Sequence, residues 1–161
     1  MGGGGGGSWF STDEIKKVEE STKKKLADNL GPSKRNIFIS FDSDDLDSVN
    51  LLRGQAKNKN NELEFNDYSV KEPYNSEQAE YIQRKIRERI RQSSATVVFL
   101  SNRTAGSEWV DWEIRESSRQ GKRIVAMYQG DTPPKRLPKA LGELGIKPIS
   151  WSHEGLMSAL E

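Results

Sequence analysis

Within Ser107-Glu108-Trp109-Val110-Asp111-Trp112-Glu113-Ile114, an indole and a carboxylate stand four residues apart, Trp109 and Glu113, with Glu116 three residues further on. On a helix these three share one face, while Val110, Ile114 and Ser117 share the neighbouring one, because residues three and four apart line up. The apolar face packs on a sheet, and the carboxylate is presented beside it with an aromatic wall. A carboxylate among aromatics suits a reaction that passes through a cationic sugar, since a glycosyl transition state is oxocarbenium-like and a nearby anion stabilises it. One carboxylate suffices when the leaving group departs already activated. Glu113 is therefore the candidate catalytic residue; the bland alternative is a solvated helix glutamate, with no Lys or Arg four residues onward to pair with it.

The helix needs a position. It follows the apolar run Ala95 to Leu100 and the polar loop Ser101 to Gly106. A strand feeding a helix in this way sets the helix's first turns at the carboxyl edge of a sheet, where open α/β folds bind ligands. The rest of the chain repeats the alternation. Asn36 to Phe41 reads as a buried strand ending in the acidic cluster Asp42, Asp44, Asp45 and Asp47, and a helix from about Asp45 to Ala56 follows with Leu46, Val49, Leu52 and Ala56 inward. Leu63 to Phe65 is a shorter, more polar strand suited to the sheet's edge. The loop Asn66 to Asn75 is long for such a unit, and Asn75 or Ser76 then caps a helix to about Gln92 with Ala79, Ile82, Ile86 and Ile90 inward. Ala95 to Leu100 is the most apolar strand and should be central. Arg123 to Tyr128 is a fourth strand, Leu137 to Leu144 a short helical piece, Pro148 to Trp151 a weak last strand, and Ser152 to Leu160 a closing helix.

This alternation predicts an α/β fold, a five-stranded parallel sheet covered on both faces in the flavodoxin-like order 2-1-3-4-5. Its switch point lies between strands one and three. The cleft there would be lined by Ser40, Phe41, Asp42 and Asp45 after strand one, by Ser101 and Asn102 after strand three, by Asp67 in the long loop, and by Trp109 and Glu113. Several of these have a plain structural alternative. Asp42 or Asp45 either touches a ligand or caps the next helix, Phe41 either stacks on a base or joins the core, Trp109 either walls the site or packs on the sheet edge, and Tyr68 and Tyr74 either gate the site or pack the loop.

Composition removes most rival chemistries. There is no cysteine and one histidine, His153, so disulfides, thiol catalysis, a multi-histidine metal site and a histidine triad are all disfavoured, and no metal is expected. No glycine-rich phosphate loop follows any strand. A response regulator would need a phospho-accepting Asp after strand three, where Ser101-Asn102 stands. Charges nearly cancel, with 25 basic and 24 acidic residues, so nucleic acid is not an expected partner, and the run Arg84, Lys85, Arg87, Arg89 and Arg91 reads as a solvated face. No apolar run reaches the roughly 20 residues that span a bilayer. A soluble, cytoplasmic protein with no membrane partner is expected. Residues 1–10 hold six consecutive glycines and read as a flexible leader, natural or appended. Residues 11–31 read as a helical extension opened by a Ser11/Glu14 capping box and a Phe10/Ile15 staple, its thin stripe Ile15, Val18, Leu26 and Leu30 docking on the domain or on another copy.

The strand Ile37-Phe38-Ile39-Ser40-Phe41, the apolar third strand, and above all Trp109-Val110-Asp111-Trp112-Glu113-Ile114 resemble TIR domains, in particular the TIR-like family of the Thoeris anti-phage proteins called ThsB. The resemblance covers about Lys34 to Trp151 and implies a TIR-like domain over 34–161. It implies NAD as substrate rather than cofactor, with Glu113 at the position of the family's catalytic glutamate for cleaving the nicotinamide-ribosyl bond. The product would be ADP-ribose or a cyclic ADP-ribose type signal, sensed by a separate effector protein. The loop 66–75 matches the family's BB loop, which gates the site and mediates self-association, to which helix 11–30 would add. The alternative function is a non-catalytic TIR-like interaction module.

Overall fold

The computed structural model describes residues 35–60, 62–68 and 72–161, with the helical pair Lys16–Lys17. The chain divides into two units, Met1–Lys34 and Arg35–Glu161, and the sheet lies wholly in the second. The glycine leader, the Ser11/Glu14 box and the helix expected over 11–30 lie outside the described residues, apart from that pair.

Five segments form one parallel sheet in the order β2-β1-β3-β4-β5, as the alternation predicted. They are β1 Arg35–Ser40, β2 Leu63–Asn66, β3 Ala95–Leu100, β4 Arg123–Tyr128 and β5 Ile149–Ser150. The helices are α1 Leu46–Lys59, α2 Ala79–Arg91, α3 Glu108–Arg119, α4 Lys139–Glu143 and α5 His153–Leu160. Side chains alternate across a strand, so each strand feeds two cores. Ile37, Ile39, Val97, Phe99, Val125 and Met127 meet Val49, Leu52 and Ala56 of α1 and Leu156 of α5. On the opposite face Phe38 meets Ile82, Ile86 and Ile90 of α2 and Trp109 of α3. Beside it Val98, Leu100 and Ala126 meet Val110 and Ile114 of α3 and Ala140 and Leu141 of α4. All six residues of β3 are buried, which fits its central place between β1 and β4.

Register shapes the carboxyl edge. Ser40, the last residue of β1, pairs with Val98, so β3 continues two residues beyond it to Leu100. A step is left above the end of β1, and α3 is the helix that stands beside it. Ser107 caps α3 by accepting the N–H of Val110 at 3.2 Å. Gly121, at φ 72°, ends the segment in the left-handed conformation that glycine adopts without strain, and Lys122 N–H closes the turn onto Ser117 O at 2.9 Å.

Several boundaries differ from expectation. The first helix starts at Leu46, one residue from the expected Asp45, and runs to Lys59, three residues past the expected Ala56. Asp42 Oδ1 accepts the N–H of Asp44 at 2.9 Å and closes a 3-10 turn, Ser43–Asp45, before α1, leaving Leu46 only half-buried. The cap expected at Asn75 or Ser76 is absent. Backbone turns, Ser76 N–H to Pro73 O and Ala79 N–H to Ser76 O, both 3.1 Å, carry the chain to Ala79 instead. Ser76 Oγ is buried and has no partner among the described residues. α4 covers only Lys139–Glu143, because Pro138 precedes it at φ -54°, ψ 137°, outside the helical conformation.

Candidate active site

On α3 the face predicted from spacing is buried throughout: Trp109 is 9%, Glu113 3% and Glu116 4% exposed. The solvated alternative for Glu113 therefore fails. Its Oε1 accepts the hydroxyl of Ser40 at 2.6 Å, inside the protein and across from α3 to the end of β1. Removal from water pushes the Glu113 carboxyl up strongly, the Ser40 hydrogen bond pulls it back, and the negative charge of Asp67 raises it further, to about 8. Asp67 is itself held by Arg53 at 2.7 Å. Arg89 grips the same segment, donating to Asn66 Oδ1 at 2.9 Å and Asp67 O at 3.1 Å, with its guanidinium 5.3 Å from the Tyr68 ring.

Glu116, one turn along, is driven the other way. Burial alone would raise it, but Gln120, Arg119 and Arg87 donate to it and leave its carboxyl below the ordinary range. The Arg119 and Arg87 contacts are 2.7 and 3.4 Å. Two carboxylates on one helix face thus have opposite protonation tendencies, which is how a fold separates an ion-pair anchor from a group available for chemistry. Glu113 has no cation against it among the described residues.

A cavity of about 220 Å³ opens in front of Glu113, walled by Phe41, Asp42, Ser43, Tyr68, Glu72, Pro73, Ser107 and Trp109. Trp109 does both things asked of it. Its ring packs with Phe38 and the isoleucines of α2, while Nε1 donates to Glu72 O at 2.9 Å and Tyr74 meets it edge-on at 5.0 Å. Phe41 likewise lines the cavity and leans on the core beneath α1. Asp42 lines it while capping the 3-10 turn.

The remaining candidates lie elsewhere. Ser40 sits behind the cavity as the partner of Glu113. Asp45, Ser101 and Asn102 line a separate cavity of about 660 Å³ at the ends of β3 and β4. Asp45 makes no capping bond there; its buried carboxylate accepts Ser101 Oγ at 2.5 Å and Arg103 Nη1 at 2.8 Å. Ser43, Glu72 and Ser107 belong to the Glu113 cavity without having been singled out from sequence. Only Ser107 carried a readable signal, a serine three residues before Val110 at a helix start. The basic run is largely spent within the fold, with Arg87 on Glu116, Arg89 on the 66–67 segment and Arg91 on Glu88.

The family model described as "Thoeris protein ThsB, TIR-like domain" matches residues 38–133. The chain belongs to this family. The matched span of this TIR-like domain contains Ser40, Glu113 and every other candidate residue. Among solved structures, similarity is found to the TIR domains of the activated Roq1 resistosome directly recognizing the pathogen effector XopQ, at 19% identity and a TM-score of 0.42, over 60% of this chain and 58% of that one. This TIR-like chain therefore spans little more than half the length of that neighbour. No curated protein matches the sequence. No helix among the described residues is long and apolar enough to cross a membrane.

Proposed function

We propose that this TIR-like domain cleaves the nicotinamide-ribosyl bond of NAD, with Glu113 as the catalytic carboxylate. The observation that carries the reading is the buried Glu113 carboxyl, bonded by Ser40 and open to a cavity with aromatic walls at the carboxyl edge of the sheet. In the protein alone Glu113 is mostly protonated at neutral pH, given a pKa of about 8. A nicotinamide ring enters as a pyridinium, and a cation within a few ångströms favours the ionised carboxylate. As the carbon-nitrogen bond breaks, its electron pair goes to nicotinamide, which leaves neutral and needs no general acid. The positive charge moves onto the ribose, where Glu113 opposes it in a site shielded from water, so the interaction is strongest at the transition state. Water then adds to the ribosyl carbon and releases a proton, giving ADP-ribose, or a hydroxyl of the same molecule adds and gives a cyclic product. Phe41, Tyr68 and Trp109 flank the ring and exclude water.

The same reading includes the biological setting implied by the family: a cytoplasmic signal-producing enzyme of anti-phage defence, self-associating through loop 66–75 and the segment 11–30, whose product is sensed by a separate effector protein. Incubation with NAD at high protein concentration, following nicotinamide release, tests the chemistry. Wild-type protein should release nicotinamide, and Glu113→Gln should be slower by about 100-fold or more, the scale of losing a preorganised charge at a transition state. Release by neither, also after enforced assembly, would leave an interaction module; equal release by both would remove Glu113 from the mechanism.

A further inference from the structure

The Glu113 cavity is too small and carries the wrong charge for a whole dinucleotide. Its 220 Å³ lies below the roughly 300–1,000 Å³ of ordinary ligand pockets. Among the described residues its wall contains Asp42, Glu72 and Glu113 and no Lys or Arg. A pyrophosphate placed against these carboxyl groups would find no cation among the described residues, which favours a position outside.

We propose that the second cavity, over the carboxyl ends of β3 and β4, is the subsite for the adenosine diphosphate end of the substrate, with Arg103 and Lys135 holding its phosphates. The proposal rests on the NAD-cleaving reading of the Glu113 cavity. The two cavities adjoin the same connection after β1, one through Phe41 to Ser43 and the other through Asp45 and Ser48. The second opens one to two strands along the same sheet edge, roughly 5–10 Å from the end of β1 at ordinary strand spacing. That is the edge on which open α/β sheets take ligands. At about 660 Å³ it also has the room that the first lacks.

Its chemistry is complementary to the first. The buried carboxylate of Asp45 takes one nitrogen of Arg103, and Ser101 Oγ satisfies its other oxygen. This fixes the guanidinium at the cavity wall while Nε and Nη2 have no partner among the described residues. Lys135 and the side chains of Asn102, Gln129 and Thr132 line the same space and likewise have no partner among the described residues. A planar guanidinium with free donors matches two phosphate oxygens at once, and the lysine adds a point charge. The amides and the Thr132 hydroxyl are suited to ribose hydroxyls and a base edge.

ADP, which lacks the nicotinamide riboside, probes this cavity independently of bond cleavage. In a titration of the full chain followed by backbone amide NMR, ADP should shift residues 101–103, 129–132 and 135. Lys135→Ala, and Arg103→Lys as the variant that keeps a cation beside Asp45, should each weaken ADP binding by about tenfold, the scale of one charge-assisted contact. No binding, shifts centred on the residues around Glu113, or affinities unchanged in both variants would overturn the assignment. NAD cleavage without ADP binding here would sink this inference and leave the Glu113 reading standing. ADP bound here by a chain that releases no nicotinamide would show an adenosine diphosphate site but remove the cleavage reading, and with it the role as a substrate subsite.

Discussion

A glutamate buried beside a serine, with no cation in contact among the described residues, makes stability depend on pH in an unusual direction. Glu113 has a folded pKa of about 8 against the ordinary 4.5, so between those pH values the folded chain holds a proton that the unfolded chain has released. Stability is then lost as pH rises, the reverse of a salt-bridged carboxylate. Below about 4.5 the group contributes no difference, and above 8 the full cost of burying its charge is present. At about 1.4 kcal/mol per pH unit, and allowing for partial ionisation at both ends, the loss between pH 5 and pH 9 comes to about 4 kcal/mol. Glu113→Gln has nearly the same shape, keeps a polar group against Ser40 and cannot titrate. Urea denaturation of both proteins at unit pH steps isolates the effect, because every other titrating group cancels in the difference. Wild type should fall below the glutamine variant progressively from pH 5 to 9. Parallel stability curves, within about 0.5 kcal/mol, would mean that Glu113 is solvated or paired with a cation, and the reasoning about its burial would be refuted.

Other perturbations follow from the same geometry. Ser40→Ala removes the hydroxyl that favours the ionised form of Glu113, so any pH-activity midpoint set by Glu113 should move further up and nicotinamide release at pH 7 should drop. Glu116→Gln should cost about 1 kcal/mol at pH 7, since the partner guanidiniums of this buried carboxylate are largely exposed and screened. Because Glu116 is lowered, its contribution is present above the usual 4.5 and fades as pH falls below it, and denaturation at pH 7 and pH 3 should show that difference shrinking. Trp109→Phe keeps a buried ring but loses the bond to Glu72 O, costing about 1 kcal/mol in urea denaturation. Ile86→Ala, fully buried between α2 and the sheet, should cost about 2–5 kcal/mol.

Periodicity made most of the scaffold readable. Ala95–Leu100 and Arg123–Tyr128 are continuous apolar or β-branched runs bounded by polar turns, and both strands span the residues that the sequence suggested. The Trp109, Glu113 and Glu116 face follows from helical spacing alone. Between Pro73 and Ala79 backbone turns replaced the expected side-chain cap and the boundary moved, since a turn closed by carbonyls leaves little trace in residue type, whereas Asp42 caps with its side chain as its residue type allowed. The pairing of Ser40 with Glu113 joins residues 73 apart and depends on where β1 stops against β3, which no local pattern encodes. The one expected cleft is two cavities, with Asp45, Ser101 and Asn102 lining the second and not the Glu113 cavity.

Nicotinamide release from NAD, measured as kcat/KM from pH 5 to 10 for wild type and Glu113→Gln, joins the buried carboxyl to the proposed reaction. The wild-type rate should rise about tenfold per pH unit and level off near pH 8, where Glu113 ionises in the free protein, while the variant stays low and flat. No release at any pH, or a profile shared by both proteins, would contradict Glu113 as the catalyst.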